Sequence, residues 1–197
     1  MFFLLPSDML RHSAIALSLF CRPFTAEAAA FVLDAETPDA IILLEGLRNS
    51  KLLSVDPDSM KGENLVYDTH ALTRSFLRGV GSNVFKEVYT KAERRFSNLF
   101  TEKMKDLASM LDVDYMGVLE QFDLDKPNFE LALDISFKTD YLLVSTEFHR
   151  SAMMCYLFEA MLDEKQRRKI FKSWADVIVE DGKEGKNKCN VQCNCIY

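Results

Sequence analysis

The stretch KLLSVDPDSMKGENLVYDTHALTRSFL, residues 51–77, decides how this chain is read. Leu52, Leu53 and Val55 make a short apolar run. A polar loop with Pro57 and Gly62 follows, and then a second short run, Leu65, Val66 and Tyr67. Two brief apolar runs bounded by turn residues predict two strands, paired across residues 56–63. That connection is longer than a two-residue hairpin, which predicts a mobile loop. His70 then stands at the mouth of a helix carrying Leu72, Phe76 and Leu77.

Upstream, the pattern is helical. Met9 to Phe20 reads as one helix with Ile15 and Leu19 on one face, stopped by Pro23. Thr25 is a suitable N-cap for a second helix over Ala26 to Leu33, and Glu27 suits the positive end of its dipole. Ala40 to Ser50 reads as a third, with Ile41, Leu44 and Leu47 together. Three helices and a two-stranded wing predict a winged helix over residues 9–78. Its expected core holds Leu17, Phe20, Phe31, Leu44, Leu47, Leu53, Val66 and Leu72.

Downstream, Gly79 and Gly81 mark a hinge or a break. Ser82 is read as the cap of a long helix bearing Phe85, Val88, Tyr89, Ala92, Phe96, Leu99, Phe100, Leu107 and Leu111 in a helical stripe. Asp112 to Asp114 interrupt it. A short helix with Tyr115, Val118, Leu119 and Phe122 follows, and Asp125 is read as capping another with Phe129, Leu133 and Phe137. A connector is expected at 142–146 and an apolar helix over 147–162. Asp163 and Gln166 have capping-box spacing ahead of a last helix over 164–179. Antiparallel helices with short connections predict an α-hairpin array over residues 82–180, without a clean 34-residue tetratricopeptide (TPR) repeat. The polar tail, 181–197, reads as disordered. The fold class is mainly α.

Composition bounds the function. Net charge is −6, so the chain as a whole offers no basic footprint for nucleic acid. Cys21 and Cys155 lie in apolar helical patterns, whereas Cys189, Cys193 and Cys195 lie in the tail without a nearby fourth ligand for zinc. Five cysteines, an odd number, and the lack of any Asn-x-Ser/Thr site favour a reducing, cytoplasmic setting. No apolar run approaches the roughly 18 residues of a membrane span. Asp8, Arg11 and His12 interrupt the apolar N-terminus, against a cleaved signal peptide.

The segments 17–20, 24–29, 47–56 and 67–72 together resemble the winged-helix part of NB-ARC proteins, the STAND-class NTPases that act as nucleotide-gated switches. The later helices, including 123–133, look like the arm that joins NB-ARC to TPR repeats in animal members. The resemblance implies that ADP or ATP sits between a P-loop domain and the winged helix of an intact parent protein. It implies that a His at the start of the helix after the wing reaches the β-phosphate of ADP. The matching residue is His70, with Thr69 where the family has Met and Ala71 where it has Asp. No Gly-x-x-x-x-Gly-Lys-Ser/Thr occurs, so the chain is expected to hold no cofactor by itself and to be a fragment or truncated isoform.

No catalytic group and no metal site is assigned: His12 and His149 stand apart from any nucleophile pattern. Lys165, Arg167, Arg168, Lys169 and Lys172 read as a solvated helix face. The expected function is a non-catalytic regulatory module that binds protein partners through its helical arm, with self-assembly in the parent. The alternative is a winged-helix nucleic-acid binder. Arg48 and Lys51, set against Glu45, are few cations for phosphate contacts.

Overall fold

The computed structural model describes residues 2–56, 65–138, 152–168, 170 and 172. Ser7 opens the first helix, its hydroxyl accepting from the N–H of Leu10 at 3.2 Å. Helix α1 (Asp8–Leu17) then tightens: Leu19 and Phe20 donate back to Ala16 and Leu17, three residues earlier. The tightened turn ends the helix before the expected Phe20 and drives Leu19 and Phe20 into the core.

Strand β1 (Phe24–Thr25) follows, and Thr25 caps α2 (Ala26–Leu33) as expected, accepting from Ala28. Asp34 closes α2 in the left-handed region, with φ 59. Helix α3 (Thr37–Asn49) starts ahead of the expected Ala40, because Pro38 sits in its first turn, where a missing N–H costs nothing. Strands β2 (Ser54–Val55) and β3 (Val66–Asp68) pair antiparallel, as predicted. The sheet has three strands, however, in the order β1-β3-β2, all antiparallel. The predicted two-stranded wing is therefore corrected. Tyr67 faces Phe24 on one side and Val55 on the other, so β3 is the central strand.

That position also corrects the expected core. Tyr67 is buried, whereas its neighbour Val66 is only half-buried, the one-residue alternation of a strand. Leu17, Phe20, Leu44, Leu47 and Leu53 are buried as predicted. Phe31 and Leu72 are exposed. Helix α2 turns Ala29, Ala30 and Val32 inward instead, and α4 (Ala71–Asn83) turns Leu77 and Gly81 inward.

Gly79 and Gly81 lie inside α4 rather than at a break. A Cβ on Gly81 would stand 2.6 Å from Tyr89 Cδ2 and 2.8 Å from Ile15 Cγ2, so this glycine lets α4 lie close against those side chains. The hydroxyl of Ser82 bonds back to the carbonyl of Gly79 and caps nothing downstream. Helix α5 (Lys86–Met110) begins after Phe85, which makes no side-chain cap.

Helix α6 (Tyr115–Lys138) is continuous where two helices were expected. Asp114 caps it, accepting from Gly117 at 3.0 Å. Asp125 lies within it and pairs with Lys103 of α5, and Pro127 is also interior. A mid-helix proline costs roughly 3 kcal/mol. Packing offsets that cost: Phe122 and Phe129, on either side of Pro127, meet at a tilt with centroids 4.8 Å apart, and Phe129 meets Phe100 of α5 edge-on. Helix α7 (Ala152–Met161) packs on α5 and α6. Asp163 and Gln166 form the expected reciprocal capping box at 3.1 and 2.8 Å, and 164–168 are helical. Lys165, Arg168 and Lys172 are exposed there. Residues 57–63 of the expected mobile loop (56–63), the connector (142–146), the start of the following helix (147–151), the chain beyond 172 and the tail (181–197) lie outside the described residues.

A series of rings ties the sheet to the helices. Tyr67 stacks toward Phe24, and Phe24 stacks on Phe20 at 4.2 Å. Phe20 meets Phe96 and Phe100 edge-on, and Phe100 meets Phe129. The buried apolar residues form one cluster running from Phe2 to Ile170. Among the described residues no helix is long and apolar enough to cross a membrane.

Candidate functional site

His70 is where the sequence predicts it, at the N-cap of α4, directly after the central strand. Its side chain is exposed, and Nδ1 accepts from the N–H of Leu72 at 3.3 Å. A helix N-terminus offers free N–H groups and a partial positive charge, a place where a phosphate can be bound. The nearby carboxylate, Asp68, is engaged: it accepts from the N–H of Thr69 at 2.8 Å and pairs with Arg74 at 3.0 Å.

One turn further, α4 does something its sequence did not announce. Arg74 donates to the carbonyls of Cys21 (2.9 Å) and Thr69 (2.9 Å). Arg78 donates to the carbonyls of Ser18 (2.7 Å) and Leu19 (2.8 Å), and to Cys21 Sγ at 3.2 Å. Apart from Thr69, these acceptors form the corner after α1, where Ser18, Leu19 and Phe20 are buried. Carbonyls at a helix C-terminus lack intrahelical partners and carry partial negative charge. Two guanidinium groups satisfy them.

The same corner is held from the other side. Buried Asn128 of α6 accepts from the N–H of Cys21 at 2.7 Å, and Arg22 Nε donates to the carbonyl of Leu124 at 3.2 Å. Residues 18–22 are thus clamped between the helix that begins at His70 and the middle of α6. Arg95 of α5 repeats the device at the end of α2, bonding the Val32 carbonyl and pairing with Asp34.

The outward face of α3 carries Ile41 and Ile42, both exposed, with Asp39 and Glu45. Its one cation, Arg48, is paired with Glu45 at 3.1 Å. Phosphates would meet an apolar and acidic surface there. Beneath it, burial raises the pKa of Tyr67, with Glu45 adding to the effect and Arg48 opposing it. At α2, the carboxyl of Glu27 is lowered by the hydroxyl of Thr25. His12 is half-buried with its ring edge-on to Phe85. His149 and the tail cysteines lie outside the described residues. Among those described, no three His, Cys, Asp or Glu side chains gather as a metal would need.

Sequence reasoning singled out His70 and passed over Arg74, Arg78, Cys21 and Asn128. One signal was available: Arg74 and Arg78 are four residues apart, on the same face of α4 as Leu77 and Gly81. Comparison of the chain with protein-family models, curated proteins and solved structures finds no match.

Proposed function

We propose that this chain is a non-catalytic regulatory and protein-interaction module, a winged helix joined to a TPR-like arm, acting in the cytoplasm as part of a STAND-type signalling or innate-defence switch. The observation that carries the reading is the clamp on residues 18–22. Arg74 and Arg78 hold it from α4, and Asn128 holds it from α6. A change at the start of α4 would therefore reach the helical arm through partly buried hydrogen bonds. ADP or ATP belongs to the intact parent protein, with its phosphate loop on a separate segment and His70 at the β-phosphate.

Two experiments test this. Recombinant chain is cross-linked in cell extract. A folded, monomeric chain that yields no specific products counts against the interaction role. In the complete protein, His70→Ser keeps a capping acceptor and removes the imidazole. ADP retention is expected to fall about tenfold or more, the scale of a hydrogen bond to a charged group. Unchanged retention removes His70 as a nucleotide sensor.

A further inference from the structure

The hairpin of α5 and α6 ends in an apolar tip. Met110 is 47% exposed, Val113 85%, Tyr115 52% and Met116 63%. They are neighbours, because the N–H groups of Val113 and Asp114 both donate to the carbonyl of Met110 at 2.9 Å and close the turn. Along this stretch of the chain the charge has one sign. Residues 106–123 contain five carboxylates, Asp106, Asp112, Asp114, Glu120 and Asp123, and no Lys, Arg or His. All five are exposed. Asp106 lies one turn before Met110, Asp112 and Asp114 flank Val113, and Glu120 lies one turn beyond Met116. The nearest cations on α5 are engaged, Lys103 with Asp125 and Lys105 with Glu102.

An apolar centre bordered by unopposed carboxylates repels nucleic acid and anionic lipid. It complements an apolar surface bordered by cations. The backbone of 106–124 is committed to helix and turn and offers no strand edge to extend, so the fitting occupant is a helix. We propose that this tip docks a basic amphipathic helix of a partner protein, with Val113 and Met116 as apolar anchors and Asp112, Asp114 and Glu120 as the acidic rim. The flexible thioethers of Met110 and Met116 suit such a surface, because they can repack around different side chains. The proposal rests on the interaction reading above and adds the face and the chemistry of the partner.

The test is fluorescence anisotropy of the whole chain with a helical Leu/Lys peptide of about 18 residues, roughly 27 Å long. A matched Leu/Glu peptide is the control. The Leu/Lys peptide is expected to bind, to weaken as salt rises, and to lose about tenfold in affinity or more with Val113→Ser plus Met116→Ser. Asp112→Asn plus Asp114→Asn should flatten the salt dependence while leaving an amide oxygen to cap α6. The substituted apolar groups are exposed, so circular dichroism should show an unchanged fold. Equal affinity for both peptides, no binding of either, or no effect of the Val113/Met116 substitutions overturns the proposal. Cross-linked products of the whole chain that persist in that double variant would overturn the tip alone. A whole chain that yields no products yet binds the peptide at the tip would overturn the interaction reading alone.

Discussion

The backbone N–H of Cys21 donates to the side-chain oxygen of Asn128 at 2.7 Å, across 107 residues of sequence. The amide nitrogen of Asn128 donates to Asp125 at 3.1 Å, which orients the oxygen toward the corner. Asn128 is 1% exposed, so water cannot replace it. Asn128→Ala leaves a buried donor unmade and should cost about 1–3 kcal/mol. Urea unfolding measures this, and a change under about 0.5 kcal/mol would mean that the corner relaxes to find another acceptor.

Arg78 bonds two carbonyls with one planar group. Arg78→Ala is expected to lower stability by about 3–6 kcal/mol, the scale of two hydrogen bonds to a charged donor. Arg78→Lys should recover less than half, because an ammonium cannot reproduce the fork. Thermal melts of the three proteins compare them directly. Full rescue by lysine would show that charge near the end of α1 matters and geometry does not.

The two glycines of α4 should answer in opposite directions. Nothing lies within 4 Å of a Cβ on Gly79, so Gly79→Ala should stabilise by about 0.5–1 kcal/mol through helix propensity. Gly81→Ala meets Tyr89 and Ile15 inside 3 Å and should destabilise by about 1–3 kcal/mol. Equal effects would place the contact between α4 and α5 elsewhere.

Two tyrosines are expected to make stability fall at alkaline pH. Tyr89 is raised from the ordinary 10.0 by burial first, then by Glu93, with Arg78 opposing. Tyr67 is raised by burial and Glu45. A phenol whose pKa is higher folded than unfolded keeps its stabilising contribution below the unfolded value. It loses that contribution as pH climbs from about 10 through the folded value. Stability should therefore fall in this window, and Tyr89→Phe should shrink the fall. Phenolate absorbance followed with unfolding checks it, and an unchanged slope in Tyr89→Phe would exclude this residue as a source.

What could be read in advance was local. The pairing of β2 with β3, the Thr25 cap and the Asp163–Gln166 box each depend on residues near one another in sequence. What was missed depends on partners far away. Phe24 and Thr25 are a strand only because β3 offers them its second edge. Gly81 looked like a break because its partners, Ile15 and Tyr89, lie on other helices. Asp125 looked like a cap because the partners of this stretch of α6, Lys103 for Asp125 and Phe100 for Phe129, lie on another helix. Of the candidate site, His70 was visible from its place after the strand. The arginines were not, since surface arginines on a helix look the same as ones aimed at buried carbonyls.

The link between Cys21 and Asn128 also sets an order of events in the making of the chain. A ribosome adds about 5–20 residues per second, so the 107 residues that separate these two take roughly 5–20 s to synthesise. Throughout that interval the amide of Cys21 has no native acceptor, and Phe20 waits as well for the rings of α5. The N-terminal helices are born early and completed late. Nascent chains stalled before and after residue 128 should differ in how easily a protease cuts near residue 21.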